Sequence, residues 1–203
     1  MNESNSAFRQ IRASYDSRTI RVYQAYSDAI AESALRQGKF VSPPFSMTRM
    51  TWIKPSFLWM MYRAGWGKKD AGQKRILAID IRRDGFEWAL ANSCLSYHDL
   101  QLHENIDTWR AQLAASPVRI QWDPERDINL EPLDHRSIQI GLRDDAVRRY
   151  VTDWITNITD LTTRSAEIHE RVLGGDRAAA QAMLPVERNY PLPMELRERL
   201  SMI

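Results

Sequence analysis

The stretch Thr19-Ile20-Arg21-Val22-Tyr23-Gln24-Ala25-Tyr26, followed at once by Ser27-Asp28-Ala29-Ile30-Ala31-Glu32-Ser33-Ala34-Leu35-Arg36-Gln37-Gly38, decides the fold class. Its first half is β-branched and aromatic, with Ile20 and Val22 on one side and Arg21 and Tyr23 on the other, the period of a half-buried strand. In its second half Ile30, Ala31, Ala34 and Leu35 recur at helical spacing. Ser27 supplies an N-cap, Asp28 an acid for the first turn, and Gly38 a stop. A strand that runs straight into a helix therefore opens the chain.

The alternation continues downstream. Residues 50–53 read as a short strand, and Pro55 suits the first turn of a helix through residues 56–63, ended by Gly65 and Gly67. Residues 75–82 read as a strand buried on both faces, with Leu77, Ile79 and Ile81 on one and Ile76 and Ala78 on the other. A helix is expected over 85–91, and an amphipathic segment follows around 106–115. Residues 118–123 alternate Val118, Ile120 and Trp122 against Arg119, Gln121 and Asp123, and 137–142 repeat the pattern through Ile138, Ile140 and Leu142. Val147, Tyr150, Val151, Trp154, Ile155, Ile158 and Leu161 form an apolar stripe that predicts one long helix from Asp144 to Leu161. A short helix over 195–200 closes the chain after Pro185, Pro191 and Pro193. Strands interleaved with helices give an α+β fold: a single domain with a mixed or antiparallel sheet of about four to six strands and flanking helices. Its core is expected over residues 9–173, with 174–203 as a C-terminal extension.

Composition excludes several classes. The 203 residues are 43% hydrophobic and 27% charged, enough for one sizeable core. Every apolar run is broken by a charge well before the roughly 18 residues of a membrane span, and the N-terminus lacks a basic-then-apolar leader pattern. No membrane partner is expected, and the chain reads as cytoplasmic, its Asn157-Ile158-Thr159 sequon a chance match. A lone cysteine, Cys94, leaves no internal disulfide and no cysteine zinc site, and reads as a buried thiol. His98, His103, His135 and His169 show no paired-ligand spacing, so no metal is expected; His98 and His103 read as surface residues of a polar loop. The chain has no phosphate-binding P-loop, no dinucleotide-binding glycine pattern and no Gly-x-Ser-x-Gly elbow. A net charge of +2 is far short of a dedicated DNA binder.

Three segments remain as candidates for chemistry. In Arg49-Met50-Thr51-Trp52-Ile53-Lys54-Pro55-Ser56-Phe57-Leu58-Trp59-Met60-Met61-Tyr62-Arg63-Ala64-Gly65-Trp66, Trp52, Trp59 and Trp66 stand seven apart with Arg49, Lys54 and Arg63 among them. Wide aromatic faces beside fixed positive charge can stack a planar base and neutralise a phosphate, although such residues at helical spacing also serve as plain core. In Ile120-Gln121-Trp122-Asp123-Pro124-Glu125-Arg126-Asp127, Pro124 is expected to end the strand, leaving Asp123 and Glu125 at a sheet rim or in a solvated acidic turn. Tyr23, Gln24 and Tyr26 lead into a helix N-terminus whose free N–H groups favour anions.

These residues resemble a known family. The run RMTWIKPSFLWMMYRAGW, with SYDSRTIRVYQAYSDAIAESAL before it and IQWDPERD and RSIQIGL after it, closely resembles domain-of-unknown-function family 4291 over about residues 9–173. The resemblance implies a single bacterial-type domain and carries no assigned activity. The order of elements is also similar to ADP-ribosyltransferase-like domains, with a strand carrying His or Arg, a helix ending in Gly, a Ser/Thr/Tyr segment and a later catalytic Glu. That second resemblance implies NAD as cofactor. Gln24 or Arg21 would meet the nicotinamide ribose or amide, with Tyr23, Tyr26, Thr51, Trp52, Ser56 and Trp59 around the cofactor and Tyr62 against the nicotinamide. Glu125, or failing it Asp123, would hold the ribose hydroxyl while positive charge develops on the sugar. Gln24 stands where His or Arg is usual, and Asp-Pro-Glu departs from the usual Gln-x-Glu or Glu-x-Glu.

Two functions follow as expectations. One is an NAD-dependent ADP-ribosyltransferase acting on a nucleic acid, protein or small molecule. The other is a non-catalytic nucleic-acid or nucleotide-binding module, whose tryptophans stack bases while Arg49, Lys54 and Arg63 contact phosphates. A third, blander reading makes the Trp-rich run core and the 144–161 helix a dimer seam.

Overall fold

The computed structural model describes residues 8–100 and 102–202. The opening strand–helix unit is present with the expected boundaries. After a two-residue strand, β1 (Arg12–Ala13), come β2 (Thr19–Tyr26) and α1 (Asp28–Gln37), which ends at Gly38 in the left-handed conformation. The next elements are β3 (Thr51–Ile53), α2 (Phe57–Ala64), β4 (Arg75–Arg82), α3 (Arg83–Ala91), β5 (Ser93–Leu95) and α4 (Ile106–Ala115). Two longer strands follow, β6 (Val118–Arg126) and β7 (Pro132–Leu142), then α5 (Asp145–Arg149), β8 (Ile155–Asp160), α6 (Thr162–Leu173), α7 (Arg177–Met183), β9 (Arg188–Asn189) and α8 (Met194–Arg199).

The fold is α+β, and among the described residues the strands divide among three open sheets: β2-β4-β8, β3-β7-β6-β5 and β1-β9. The four-stranded sheet is mixed, because β5 runs parallel to β6 while the other pairs are antiparallel. Facing strands supply the main core: Ile20 and Val22 of β2, Leu77, Ile79 and Ile81 of β4, Val118, Ile120 and Trp122 of β6, and Ile138, Ile140 and Leu142 of β7 form one buried cluster. The opposite face of β4, through Ile76 and Ala78, joins Phe57, Met60 and Met61 of α2 and Ile168 of α6 in a second cluster. Both faces of β4 are thus covered, one by each cluster, which explains why it reads as a continuous apolar run. The sheets meet where the Tyr23 N–H donates to the Lys54 carbonyl at 2.7 Å. Tyr190 and Leu200, from the last part of the chain, also lie in the main core.

Two expectations need correction. The 144–161 helix does not exist over its length: α5 passes into a π-helical turn (Tyr150–Trp154), and β8 begins at Ile155. Val147, Tyr150, Val151 and Trp154 are a helical stripe, but beyond them Ile155, Thr156, Ile158 and Thr159 are β-branched, and β8 completes the sheet by pairing antiparallel with β4. A dimer seam along that helix loses its basis. Pro124 does not end β6 either, since the strand continues to Arg126 with a bulge between Pro124 and Arg126. The partner β5 stops opposite Ile120, so the far half of β6 is a sheet edge, where a residue without an N–H leaves no ladder bond unmade.

Candidate functional site

Where the two larger sheets meet, the surface folds inward into a cleft of about 790 Å³. Gln24, Tyr26 and Ser27 at the β2–α1 junction line one side, Arg49, Thr51, Trp52 and Lys54 another, Met60 and Arg63 of α2 a third, and Gln121 and Gln139 also line it. Strand geometry places the two glutamines together. Gln121 and Gln139 are register partners on β6 and β7, on the face opposite Ile120 and Ile140. Trp52 is held against this sheet because it pairs with Gly141, where a Cβ would stand 3.0 Å from the indole.

Lys54 is 5% exposed, and its Nζ donates one hydrogen bond, to the Trp52 carbonyl at 3.3 Å. Burial, reinforced by the Arg63 charge and opposed by Asp123, pushes its ammonium down to about 7. Gln24 donates from Nε2 to the Tyr26 hydroxyl at 2.9 Å and to the same Trp52 carbonyl at 3.2 Å, while the Tyr150 hydroxyl donates to its Oε1 at 2.7 Å. This side chain is thereby fixed as a brace between β2, β3 and the π-helical turn. Among the described residues Arg49, Lys54 and Arg63 have no ion-pair partner; the same holds for other arginines such as Arg119 and Arg136, and what sets these three apart is that they line one cleft. Unneutralised cations that share a polar and aromatic cleft are equipped to hold an anion.

The two candidate carboxylates separate. Asp123 accepts from Gln121 Nε2 at 3.0 Å and from Gln139 Nε2 at 2.7 Å, so it stands directly behind two of the cleft's lining residues. Neither carboxylate lines the cleft itself, and Glu125, 5% exposed, is turned to other partners. It accepts from the Ser56 hydroxyl and from the Arg126 N–H, both at 2.9 Å. Ser56 is the N-cap of α2 and accepts from the Trp59 N–H at 3.2 Å. A second carboxylate, Glu187, accepts from the Phe57 N–H at 2.8 Å. Burial, with the Glu125 charge adding to it and the Phe57 hydrogen bond opposing it, raises Glu187 to about 8. Although the residue as a whole is only partly covered, its carboxyl end is the part that is enclosed, and the shift follows that end.

The remaining sequence candidates are distributed around these two centres. Arg21 and Tyr23 stand on the face of β2 opposite Gln24 and Tyr26: Arg21 is paired bidentately with Asp80, and Tyr23 is buried edge-on to Phe57. Thr51, Trp52, Gln24 and Tyr26 come together in the cleft. Trp59 and Trp66 are 5% and 6% exposed, Trp66 lying flat on His169 at 5.1 Å. Tyr62 is exposed, stacked on Trp59, with the Arg126 guanidinium 3.6 Å from its ring centre, and does not line the cleft. Cys94 is buried as expected, whereas His103 is buried too and not a surface residue, its Nδ1 3.0 Å from the Asp99 carbonyl oxygen. The sequence reading missed Gln121, Gln139 and Glu187 as site residues. The first two carried a signal in the outward polar positions of alternating strands; Glu187 carried none.

The model for Domain of unknown function (DUF4291) matches residues 10–190, so the chain belongs to that family. No curated protein matches it. Among the described residues no helix is long and apolar enough to cross a membrane.

Proposed function

We propose that the cleft binds a nucleotide and that NAD is the donor in transfer of ADP-ribose to a nucleic acid, a protein or a small molecule. One observation carries the reading: Arg49 and Arg63 line the same cleft as Lys54 and have no carboxylate partner among the described residues. Phosphate oxygens satisfy such cations, and the 790 Å³ volume suits a dinucleotide. Trp52 offers a ring face for a base or nicotinamide, and Gln121 and Gln139 offer amides to a ribose or carboxamide. Cleaving the nicotinamide bond puts positive charge on the sugar, and Asp123, behind those amides, is the carboxylate placed to oppose it. Glu125 is assigned to α2 rather than to this step.

The burial of Trp59 and Trp66 weighs against the strand-binding alternative, which needs three stacking platforms and retains one. The test is transfer of label from NAD carrying it in the adenylate half, with lysate protein, RNA and single-stranded DNA offered in parallel. Transfer to one fraction by the wild type, lost in Asp123→Asn and kept in Glu125→Gln, is expected. No transfer and no nicotinamide release would refute the transferase, and nucleotide binding would then stand or fall on its own titration.

A further inference from the structure

Lys54 is one of five lysines in a chain with twenty-three arginines, and the other four, Lys39, Lys68, Lys69 and Lys74, are exposed. Arginine holds its charge under burial, while lysine can shed its proton, so a lone buried lysine where arginine is the rule is chemically pointed. Its backbone is fixed by the 2.7 Å bond from the Tyr23 N–H and by Pro55 beside it. Among the described residues its Nζ has one hydrogen-bond acceptor, the Trp52 carbonyl, and no ion pair. Arg63 of α2 repels its charge, and the opposing acid, Asp123 of β6, is engaged by two amides. An amine that burial inclines to shed its proton, in a cleft that also holds two guanidiniums without an ion pair among the described residues, meets the requirements of a nucleophile whose electrophile arrives on an anionic handle.

The geometry points to Lys54 as an amine that forms an imine with a phosphate-bearing aldehyde, the phosphate held by Arg49 and Arg63. The nitrogen lone pair adds to the carbonyl carbon and the carbonyl oxygen takes a proton, giving a carbinolamine. Loss of that hydroxyl with the remaining nitrogen proton releases one water and leaves the C=N bond. The open-chain form of ADP-ribose and that of a pentose 5-phosphate are both such aldehydes. The inference needs only the phosphate-holding half of the nucleotide reading, not NAD itself.

The probe is pyridoxal 5′-phosphate, added to the intact protein and fixed with borohydride, whose hydride reduces the imine to a stable secondary amine; peptide mass mapping then locates it. At neutral pH an ordinary lysine is uncharged roughly a thousandfold less often than one titrating near 7. Lys54 is expected to be modified first, with a yield that climbs through about pH 7, and roughly tenfold less with phosphate-free pyridoxal or in Arg63→Ala. Modification confined to the four exposed lysines, or equal yields with and without the phosphate, overturns the proposal. Parallel incubations with ADP-ribose and with ribose 5-phosphate, reduced in the same way, identify which aldehyde the site takes. Labelled Lys54 in a protein that binds neither NAD nor ADP-ribose refutes the nucleotide reading and leaves this one standing. ADP-ribose binding with Lys54 unlabelled does the reverse.

Discussion

Ser56 and Glu125 are joined by a 2.9 Å hydrogen bond in which the α2 cap donates its hydroxyl proton to the carboxylate. The acid that the sequence marks for catalysis is thus engaged in holding a helix. Glu125→Gln keeps an oxygen for both the Ser56 hydroxyl and the Arg126 N–H. Cleft ligands should bind it within about twofold of wild type, and stability should change by less than about 1 kcal/mol. Glu125→Ala strands both donors and should cost about 1–3 kcal/mol in urea unfolding. Loss of ligand binding in Glu125→Gln at unchanged stability would return that residue to the chemistry.

Glu187 and Lys54 together pull stability toward a minimum near neutral pH. Glu187 is raised from an ordinary 4.5 to about 8, so between those values the folded chain binds more protons than the unfolded one, and stability falls as pH rises through the window. Lys54 is lowered from 10.5 to about 7, so there the unfolded chain binds more protons, and stability grows as pH rises from 7 toward 10.5. Urea midpoints at several pH values check both limbs. Glu187→Gln should flatten the acid limb and Lys54→Met the alkaline one; an unchanged profile in either variant contradicts the burial of that charge.

Gly141→Ala should disturb the cleft more than the core. Its Cβ would lie 2.9 Å from Met50 Sδ and 3.0 Å from the Trp52 ring, so Met50 must shift and Trp52, a rigid ring lining the cleft, must give slightly. A changed tryptophan emission and weaker ligand binding, with a stability loss of about 1–3 kcal/mol, are expected. Gly85→Ala meets the Trp154 ring at 2.4 Å, outside the cleft lining, and should lose stability and change emission through that ring while leaving ligand binding unaltered.

Tyr150→Phe removes the donor to Gln24 Oε1, a bond between the π-helical turn and β2. A buried acceptor without its partner costs about 1–3 kcal/mol, and the loosened Gln24 should weaken cleft binding as well. Unfolding and titration of the one variant measure both effects, and full retention of affinity would show that Gln24 does not brace the wall.

Much of this architecture is legible in the sequence because the elements are locally consistent. β2, α1 and β4 carry their period, cap and stop within their own residues, and the two faces of β4 separate into the two core clusters as their alternation implies. The end of the 144–161 stripe was not legible, because Ile155 and Ile158 fit a helix and a strand equally well. Only the open edge of β4 decides between them. The site shows the same division. Arg49, Lys54, Arg63 and Trp52 are neighbours in sequence and meet in the cleft, whereas Gln121 and Gln139 meet only through the β6–β7 register, and Glu187 reaches α2 across 130 residues of chain.

The central claim is that the cleft's unpaired cations hold the phosphates of a nucleotide. Calorimetric titration of ADP-ribose at low and moderate salt, against wild type, Arg63→Ala and Arg49→Ala, tests it most directly. Because both arginines are exposed, their removal leaves the fold intact. The account predicts saturable wild-type binding with one ligand per chain, weakened roughly tenfold or more by either substitution and reduced by salt. Absence of binding at low salt, or binding indifferent to both arginines, would contradict it.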